Sequence, residues 1–236
     1  MEPAILAIPG FLGLPADWSF LQWKHLIGVD LHAFSWNSLP EWAAQFNQWV
    51  CKLEKKPSVL IGYSLGGRLA LHALVDRPHQ WQAAIIVSAH IGLSDVQERE
   101  TRRQWDRKWA DRFENEDWTS LMQAWNGQEV FTQNDFHFNR CEQHYQRSQL
   151  AKFLIQGSLG EQMDLRRQIE SLSIPLLWIT GARDLRYCQI AQTLIFAHPH
   201  SRWEIVAMAG HRVPWVQPKV FSQLVQEFLQ KMTLKE

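Results

Sequence analysis

The stretch that decides the fold is Ser58–Gly67, which reads SVLIGYSLGG. A short apolar run leads into Gly62-Tyr63-Ser64-Leu65-Gly66, and a helical pattern then continues to Val75, before the Arg77-Pro78 step. Glycines on both sides of a serine let the backbone turn sharply from a strand into a helix, where bulkier residues would clash. The serine also lies at a helix N-terminus, where the field favours negative charge. This context predicts a nucleophilic Ser64; the alternative is a glycine-rich turn with an incidental serine.

Apolar runs bounded by turn residues recur along the chain, as expected for strands buried on both faces of a parallel sheet. The runs lie at Ala4–Ile8, Ser58–Gly62, Ala83–Ala89, Pro175–Gly181 and Trp203–Met208. Helical patterns between and after them occur at Leu65–Val75, Tyr187–Ala197 and Pro218–Lys231. This alternation predicts an α/β fold with a mostly parallel, doubly wound sheet.

The alternation stops between about residues 94 and 171, where the chain is rich in Arg, Glu, Gln, Trp and Asp. Amphipathic helices are expected there at about 95–115, 118–126, 138–156 and 161–171. A helical block between two β/α halves belongs above the carboxyl ends of the strands, where such sheets bind ligands. We therefore expect one domain, 1–236, with a helical cap inserted at about 94–171.

Composition excludes several classes of protein. The 236 residues carry 24 Lys and Arg against 24 Asp and Glu, so no global field favours nucleic acid or an acidic membrane. No apolar stretch approaches the roughly 18 residues of a membrane span, and the N-terminal apolar run lacks the basic start of a signal peptide. Cys51, Cys141 and Cys188 have no metal-ligand spacing and indicate reduced thiols in a cytoplasmic protein. A small-molecule partner is expected, with no metal and no cofactor.

Two later positions supply what a serine nucleophile needs, a base and a carboxylate that orients the base. Leu176–Asp184 is a strand pattern that runs into an acid, and Met208–His211 follows another strand pattern and ends in a histidine. Asp184 and His211 therefore belong at the same edge of the sheet as Ser64, in the order Ser, Asp, His that α/β hydrolases use. The sequence predicts the α/β-hydrolase fold with this triad.

This fold stabilises an oxyanion with two backbone N–H groups. One comes from the residue after the nucleophile, here Leu65, and the other from the loop after an early strand, here Phe11. Other α/β hydrolases commonly have His-Gly where this chain has Pro9-Gly10. The change keeps the N–H of Phe11 but removes any side-chain contact that the histidine makes.

Segments around the triad are more specific than the triad itself. Tyr63–Arg68 is joined to an arginine-rich segment, Glu98–Arg103, and is followed by Trp125–Phe131, Gly181–Tyr187 and Ala209–His211. Together they resemble the 2-succinyl-6-hydroxy-2,4-cyclohexadiene-1-carboxylate synthases of menaquinone and phylloquinone biosynthesis, over nearly the whole chain.

The resemblance implies a carbon–oxygen lyase that eliminates pyruvate from 2-succinyl-5-enolpyruvyl-6-hydroxy-3-cyclohexene-1-carboxylate, with the activated serine as a general base and no acyl-enzyme. This substrate has three carboxylates, and arginine binds a carboxylate in a planar, two-pronged geometry. The matched motifs imply substrate contacts from Tyr63, Arg68, Arg102 and Trp125. They also imply a third cap arginine, which is Arg147 or, as the alternative, Arg140. Glu129 replaces a proline of the family and is expected to face solvent or an arginine.

Other interpretations remain open. A serine carboxylester or thioester hydrolase would use the same triad through an acyl-enzyme but would not need Arg68 or Arg102, and a binding protein without turnover is a third possibility. A solvated helix face with i,i+4 ion pairs explains most of the cap arginines, and His90 fits a loop-packing role at least as well as a site. Asp95 and Asp164 are weaker candidates for the triad acid, because neither follows a strand pattern.

Overall fold

A computed structural model of the protein describes residues 4–53, 58–132 and 136–233. Over these residues six parallel strands form one sheet in the order β2-β1-β3-β4-β5-β6. The strands are β1 Ile5–Ile8, β2 Leu26–Gly28, β3 Val59–Tyr63, β4 Ala83–Val87, β5 Leu176–Gly181 and β6 Arg202–Val206. The order reverses beside β1, so helices are distributed over both faces, and the predicted doubly wound α/β fold is confirmed.

Ten α-helices connect and cover these strands within the described residues. They are α1 Leu39–Cys51, α2 Leu65–Asp76, α3 Val96–Asn115, α4 Trp118–Asn126, α5 Glu129–Thr132, α6 Arg147–Gln156, α7 Arg166–Glu170, α8 Leu185–Gln192, α9 Val213–Val216 and α10 Pro218–Thr233. No helix in the described part of the chain is both long enough and apolar enough to cross a membrane.

Two strands differ from the sequence-based expectation. β2 was not predicted, because three residues paired with β1 leave too short a pattern to recognise. The last predicted strand was expected to be buried on both faces, but β6 lies at the edge of the sheet and only Val206 in it is buried. Its sequence, RWEIV, mixes polar and apolar residues because one side of an edge strand remains in contact with solvent.

Apolar side chains cover both faces of the sheet. On one face, Leu6, Leu60 and Ile86 pack with residues of α1 and α2, including Trp42, Phe46 and Leu69. On the other face, Ile61, Ile85 and Ile179 pack with Trp18 and with Phe221 and Phe228 of α10. The central strands β3 and β4 are buried at every position, because helices cover both faces of the sheet.

The helices α3 to α7 lie between β4 and β5. α3 and α4 are capped by the residues before them, Asp95 and Asp117, whose carboxylates accept hydrogen bonds from the backbone of the first helical turn. The helix expected at 138–156 begins only at Arg147, after a short 3-10 turn at Glu142–His144, and the one expected at 161–171 covers only Arg166–Glu170. Residues 133–135 of this segment lie outside the described residues. Its own apolar cluster, around Trp109, Phe113, Leu121 and Leu150, includes Leu12 from the loop after β1.

Candidate active site

Ser64 occupies the turn between β3 and α2 in a backbone conformation that non-glycine residues seldom adopt, with φ 53° and ψ −114°. The turn is fixed by close backbone contacts. A Cβ atom on Gly66 would lie 2.3 Å from the carbonyl oxygen of Pro9, and the N–H of Ser64 donates to the carbonyl of Val87 at 2.9 Å. Contacts with the chain at the carboxyl ends of β1 and β4 therefore hold Ser64 in this strained conformation at the end of β3.

The structure brings the three predicted triad residues together. Nε2 of His211 lies 2.9 Å from Oγ of Ser64, and Nδ1 of His211 lies 2.7 Å from Oδ2 of Asp184. His211 and Asp184 are both buried, and they follow β6 and β5, so the carboxyl ends of adjacent strands set their positions. This is the geometry in which a histidine can take the serine proton while a carboxylate fixes its tautomer.

The two weaker acid candidates have local structural contacts instead. Asp95 accepts a hydrogen bond from the N–H of Glu98 at 2.8 Å, and Asp164 accepts one from the N–H of Arg166, also at 2.8 Å. Both carboxylates satisfy backbone donors at or near the start of a helix.

The predicted oxyanion donors lie beside the serine. Phe11 and Leu65 line the same cavity as Ser64. Leu65 is the first residue of α2, so its N–H has no carbonyl partner within the helix. This arrangement leaves a backbone donor beside Oγ of Ser64 for an oxygen that gains negative charge.

A cavity of about 420 Å³ opens above the triad. Its wall combines Phe11, Trp125, Phe131 and Phe153 with a group of charged residues. In the described part of the chain, the arginines that line it are Arg68, Arg102, Arg183 and Arg186. The acids that line it are Asp106, Glu129 and Asp184. Asp184 already contacts His211, and Asp106 contacts Arg102, so the cavity favours an anionic ligand.

Arg68 lies on the first turn of α2 and is almost fully buried. Its Nη2 donates to the carbonyl of Gly157 at 2.5 Å, and its Nη1 donates to Oε1 of Gln162 at 3.3 Å. Burial, and then the nearby charge of Arg102, lower the pKa of Arg68 to about 10. The cation persists at neutral pH without a carboxylate among its hydrogen-bond partners, and an anion in the cavity would supply one.

Arg102 lies on α3 and forms an ion pair with the buried Asp106, in which Nε donates to Oδ2 at 2.8 Å. The same Oδ2 accepts a hydrogen bond from Oγ of Ser158 at 2.7 Å. Asp106 therefore holds Arg102 at the wall of the cavity through one edge of its guanidinium.

Tyr63 and Trp125 are placed differently from each other. Trp125 lines the main cavity and packs on Phe11, with ring centroids 4.8 Å apart. Tyr63 is buried behind the triad, where its ring lies 5.5 Å from that of His211, and it lines a second, smaller cavity on the other side of Ser64. Burial raises the pKa of the Tyr63 phenol, so this side chain packs against His211 as a neutral group.

Arg147, expected as the third cap arginine, does not line the main cavity. Its guanidinium is held outside the cavity by Glu142, at 3.0 Å, and by the carbonyl of Glu116. The alternative, Arg140, lines the second cavity and forms a two-pronged ion pair with Asp17, with N–O distances of 2.8 and 2.6 Å. Local contacts use both guanidinium groups, which the spacing of residues in the chain does not reveal.

Sequence reasoning missed Arg183 and Arg186 as residues of the cavity wall. Both flank Asp184 at the carboxyl end of β5, and that position was the signal that could have identified them. Glu129, expected to face solvent or an arginine, is exposed at the rim of the same cavity. His90 also lines the cavity, although a loop-packing role fitted it equally well.

No group of three or more metal-ligating side chains occurs in the ranges 4–53, 58–132 and 136–233.

Comparison with known proteins agrees with this geometry. Residues 5–224 match the model of the alpha/beta hydrolase family. A relative from Bacillus subtilis (strain 168), named as a putative 2-succinyl-6-hydroxy-2,4-cyclohexadiene-1-carboxylate synthase, is 30% identical, with 96% of this chain and 90% of the relative covered. The chain belongs to this synthase family of alpha/beta hydrolases.

A second relative and one solved structure are also similar to this chain. The synthase of Pectobacterium atrosepticum is 29% identical, over 97% of this chain and 94% of its own length. The solved structure of MenH from S. aureus superposes with a TM-score of 0.83 and 21% identity, covering 99% of this chain and 96% of the other, and shows the same fold.

Proposed function

We propose that this protein is a lyase that eliminates pyruvate from 2-succinyl-5-enolpyruvyl-6-hydroxy-3-cyclohexene-1-carboxylate, giving 2-succinyl-6-hydroxy-2,4-cyclohexadiene-1-carboxylate. The observation that carries the proposal is the pairing of a Ser64–His211–Asp184 triad with an arginine-lined cavity. The names of the relatives support the same reaction. A tricarboxylate fits this cavity because Arg68 and Arg102 lie at its wall, and a neutral ester would leave the buried charge of Arg68 without an anion.

In the proposed reaction, His211 takes the proton of Ser64, and the serine oxygen removes the ring proton next to the succinyl carbonyl. The carbonyl oxygen gains negative charge and accepts hydrogen bonds from the N–H groups of Phe11 and Leu65. The electron pair then moves through the ring double bond, and the ring C–O bond to the enolpyruvyl group breaks. The leaving pyruvate enolate takes a proton on carbon, so the abstracted proton is balanced and no water is consumed.

The domain organisation, the partner and the location are part of the same proposal. We place the catalytic sheet and the segment 94–171 in a single domain, in which that segment caps the cavity with Arg102 and Trp125. The partner is a small polycarboxylate. A cytoplasmic location fits the free thiols of Cys51, Cys141 and Cys188, which a reducing compartment preserves.

The alternative is an esterase that forms an acyl-enzyme on Ser64. It uses the same triad and oxyanion donors, so the triad does not distinguish the two. The arginines distinguish them, because removing the charge of Arg68 would have little effect on the turnover of a neutral acyl substrate.

The test is a coupled assay that follows pyruvate release from the enzymatically generated enolpyruvyl substrate. Wild type should release pyruvate rapidly, Ser64→Ala should release almost none, and Arg68→Ala should lose about 100-fold in kcat/KM, since a charged hydrogen bond to a carboxylate is removed. Arg107→Ala is the matched control, because Arg107 is exposed and pairs only loosely with Glu100, at 3.7 Å. No pyruvate from wild type, together with turnover of simple esters, would replace the lyase by the esterase.

A further inference from the structure

His90 lies just beyond the carboxyl end of β4. In the sheet β4 is the neighbour of β3, the strand that Ser64 follows. It is buried and lines the main cavity together with Ser64, Arg68 and Arg102. The reaction proposed above gives it no role.

The tautomer of His90 is fixed by the backbone. The N–H of Gly92 donates to Nδ1 of His90 at 3.0 Å. An N–H can only donate, so Nδ1 carries no proton and the proton of the neutral ring is on Nε2. Nε2–H has no hydrogen-bond partner within the part of the chain that the structure describes.

The ring is held in the neutral form. Burial, and then the charges of Arg186, Arg68 and Arg102, lower the pKa of His90 to about 3. A second proton would also displace the hydrogen bond from Gly92. Across the working range of pH, His90 is therefore a neutral donor among three cations.

The backbone around His90 is rigid and connected to Arg68. Gln162 is fully buried, accepts a hydrogen bond from Arg68 at 3.3 Å and donates one to the carbonyl of His90 at 3.2 Å. Gly92 has φ 116°, and a Cβ there would lie 2.0 Å from the carbonyl oxygen of Met163. A donor fixed in this way loses little conformational freedom when a ligand binds.

We propose that His90 binds the substrate, donating a hydrogen bond from Nε2 to a carboxylate that Arg68 or Arg102 also contacts. This inference rests on the proposed lyase function and adds a specificity-determining residue to it. A neutral N–H complements the arginines, because it binds an oxygen of the anion without adding another charge to the cationic wall. The carboxylate stays charged throughout the reaction, so the contact contributes to the binding of substrate and transition state alike.

Two substitutions separate this role from loop packing. The amide nitrogen of His90→Gln reaches the position of Nε2 but leaves Gly92 without its acceptor. In His90→Asn, the amide oxygen can accept from Gly92, but no donor reaches the position of Nε2. A binding role predicts that Gln preserves KM better than Asn, and a packing role predicts the reverse order.

The experiment measures kcat and KM for pyruvate release, together with Tm, for both variants and for the exposed control His79→Asn. We expect His90→Asn to raise KM by about 10- to 100-fold with little change in kcat, as for loss of a hydrogen bond to a charged group. We expect the KM of His90→Gln to stay within about threefold of the wild-type value. Of the two His90 variants, His90→Gln should have the lower Tm, because Gly92 loses its acceptor.

Other results would overturn the inference. Full activity in His90→Asn, or a larger loss in His90→Gln than in His90→Asn, would assign His90 to packing. A loss confined to kcat would mean that the donor does not act on a carboxylate. Pyruvate release by wild type in those cases would leave the lyase function intact. Its absence in wild type would refute the lyase function and, with it, this role for His90.

Discussion

Arg102 and Arg147 lie on helices of the same segment, but their neighbours give them different roles. Arg102 is held at the cavity wall by Asp106, whereas Arg147 is held away from it by Glu142 and lies 5.7 Å from the ring of Trp118. At this scale the partner of a guanidinium, rather than its charge, determines whether it can bind substrate.

This difference gives the first prediction. Arg102→Met should raise KM for the enolpyruvyl substrate by about 10- to 100-fold, because a charged contact to a carboxylate is removed. Arg147→Met should leave KM unchanged, since its guanidinium lies outside the cavity. Steady-state kinetics of pyruvate release on both variants provides the measurement. Equal effects of the two substitutions would place Arg147 at the substrate after all.

His72, on α2 one turn beyond Arg68, gives a prediction about acid stability. Burial, and then the charge of Arg68, lower the pKa of His72 to about 4. Between about pH 4 and about pH 6.5 the unfolded chain binds a proton at this residue that the folded chain does not. The free energy of unfolding should therefore fall as pH drops through that window, with His72 contributing about 2–3 kcal/mol of the loss.

Urea unfolding of wild type and His72→Leu, at intervals from pH 4 to pH 7, tests this contribution. The substitution should make the dependence on pH shallower, and the remaining slope should include His90, whose pKa is lowered in the same direction. His79→Leu, at an exposed position, is the control and should follow wild type. Parallel curves for His72→Leu and wild type would show that His72 does not contribute.

At the scale of elements, the junction of β3 with α2 depends on how closely two chain segments approach each other. The first turn of α2 passes against the carbonyl groups of Ile8 and Pro9 at the end of β1, and glycine at position 66 makes that approach possible. The same approach places Ser64 beside the loop that contains Phe11. The serine and the predicted oxyanion donor, the N–H of Phe11, therefore depend on the same close approach.

Gly66→Ala should consequently destabilise the protein strongly. The added Cβ would lie 2.3 Å from a backbone oxygen, and overpacking of a rigid core costs about 1–3 kcal/mol or more. Gly127→Ala is the matched control, because its nearest contact would be 3.3 Å and its backbone is already helical, with φ −77°. Thermal unfolding should show a clear fall in Tm for Gly66→Ala and little change for Gly127→Ala. A Tm near that of wild type for Gly66→Ala would mean that the junction can relax.

At the scale of the whole molecule, charged side chains connect the segment between β4 and β5 to the sheet. Arg212, next to His211, donates to the carbonyl of Phe136 and to Oδ1 of Asn126, both at 2.8 Å, and its guanidinium lies 4.1 Å from the ring of Phe131. The ion pair of Arg140 with Asp17 joins the same segment to the loop after β1. The position of the segment over the triad is thus linked to residues that touch the triad.

The Arg140–Asp17 pair gives the last prediction. Both side chains are about nine-tenths buried, so Arg140→Met would leave a buried carboxylate without its partner and should cost about 3–5 kcal/mol. Adding Asp17→Asn should recover part of that loss, because the uncompensated charge is removed. Arg107→Met, in an exposed pair, should change the free energy of unfolding by less than about 0.5 kcal/mol. Denaturant unfolding of wild type, Arg140→Met, Asp17→Asn, the double variant and Arg107→Met provides the measurement. A loss in the double variant equal to the sum of the two single losses would argue against a coupled pair.

The sequence alone determined the sheet, the serine turn and the order of the triad. These depend on short-range features: apolar runs buried on both sides, glycines where two segments approach, and polar residues directly after a strand. β2 was not recognised because it is only three residues long. α1 was overlooked although its sequence has helix signals, a Ser38 cap followed by buried Leu39, Trp42 and Phe46 at helical spacing.

Only the tertiary structure decided which arginines face the cavity, where the helices of the segment between β4 and β5 begin and end, and which nitrogen of His90 carries the proton. The stretch expected to be helical from 138 forms no α-helix before Arg147, and the ring of Phe138 in it lies 4.9 Å from the ring of Trp215, near the far end of the sequence. Such contacts join residues far apart in the chain. Propensity and spacing describe neighbours along the chain, whereas packing and ion pairing depend on neighbours in space.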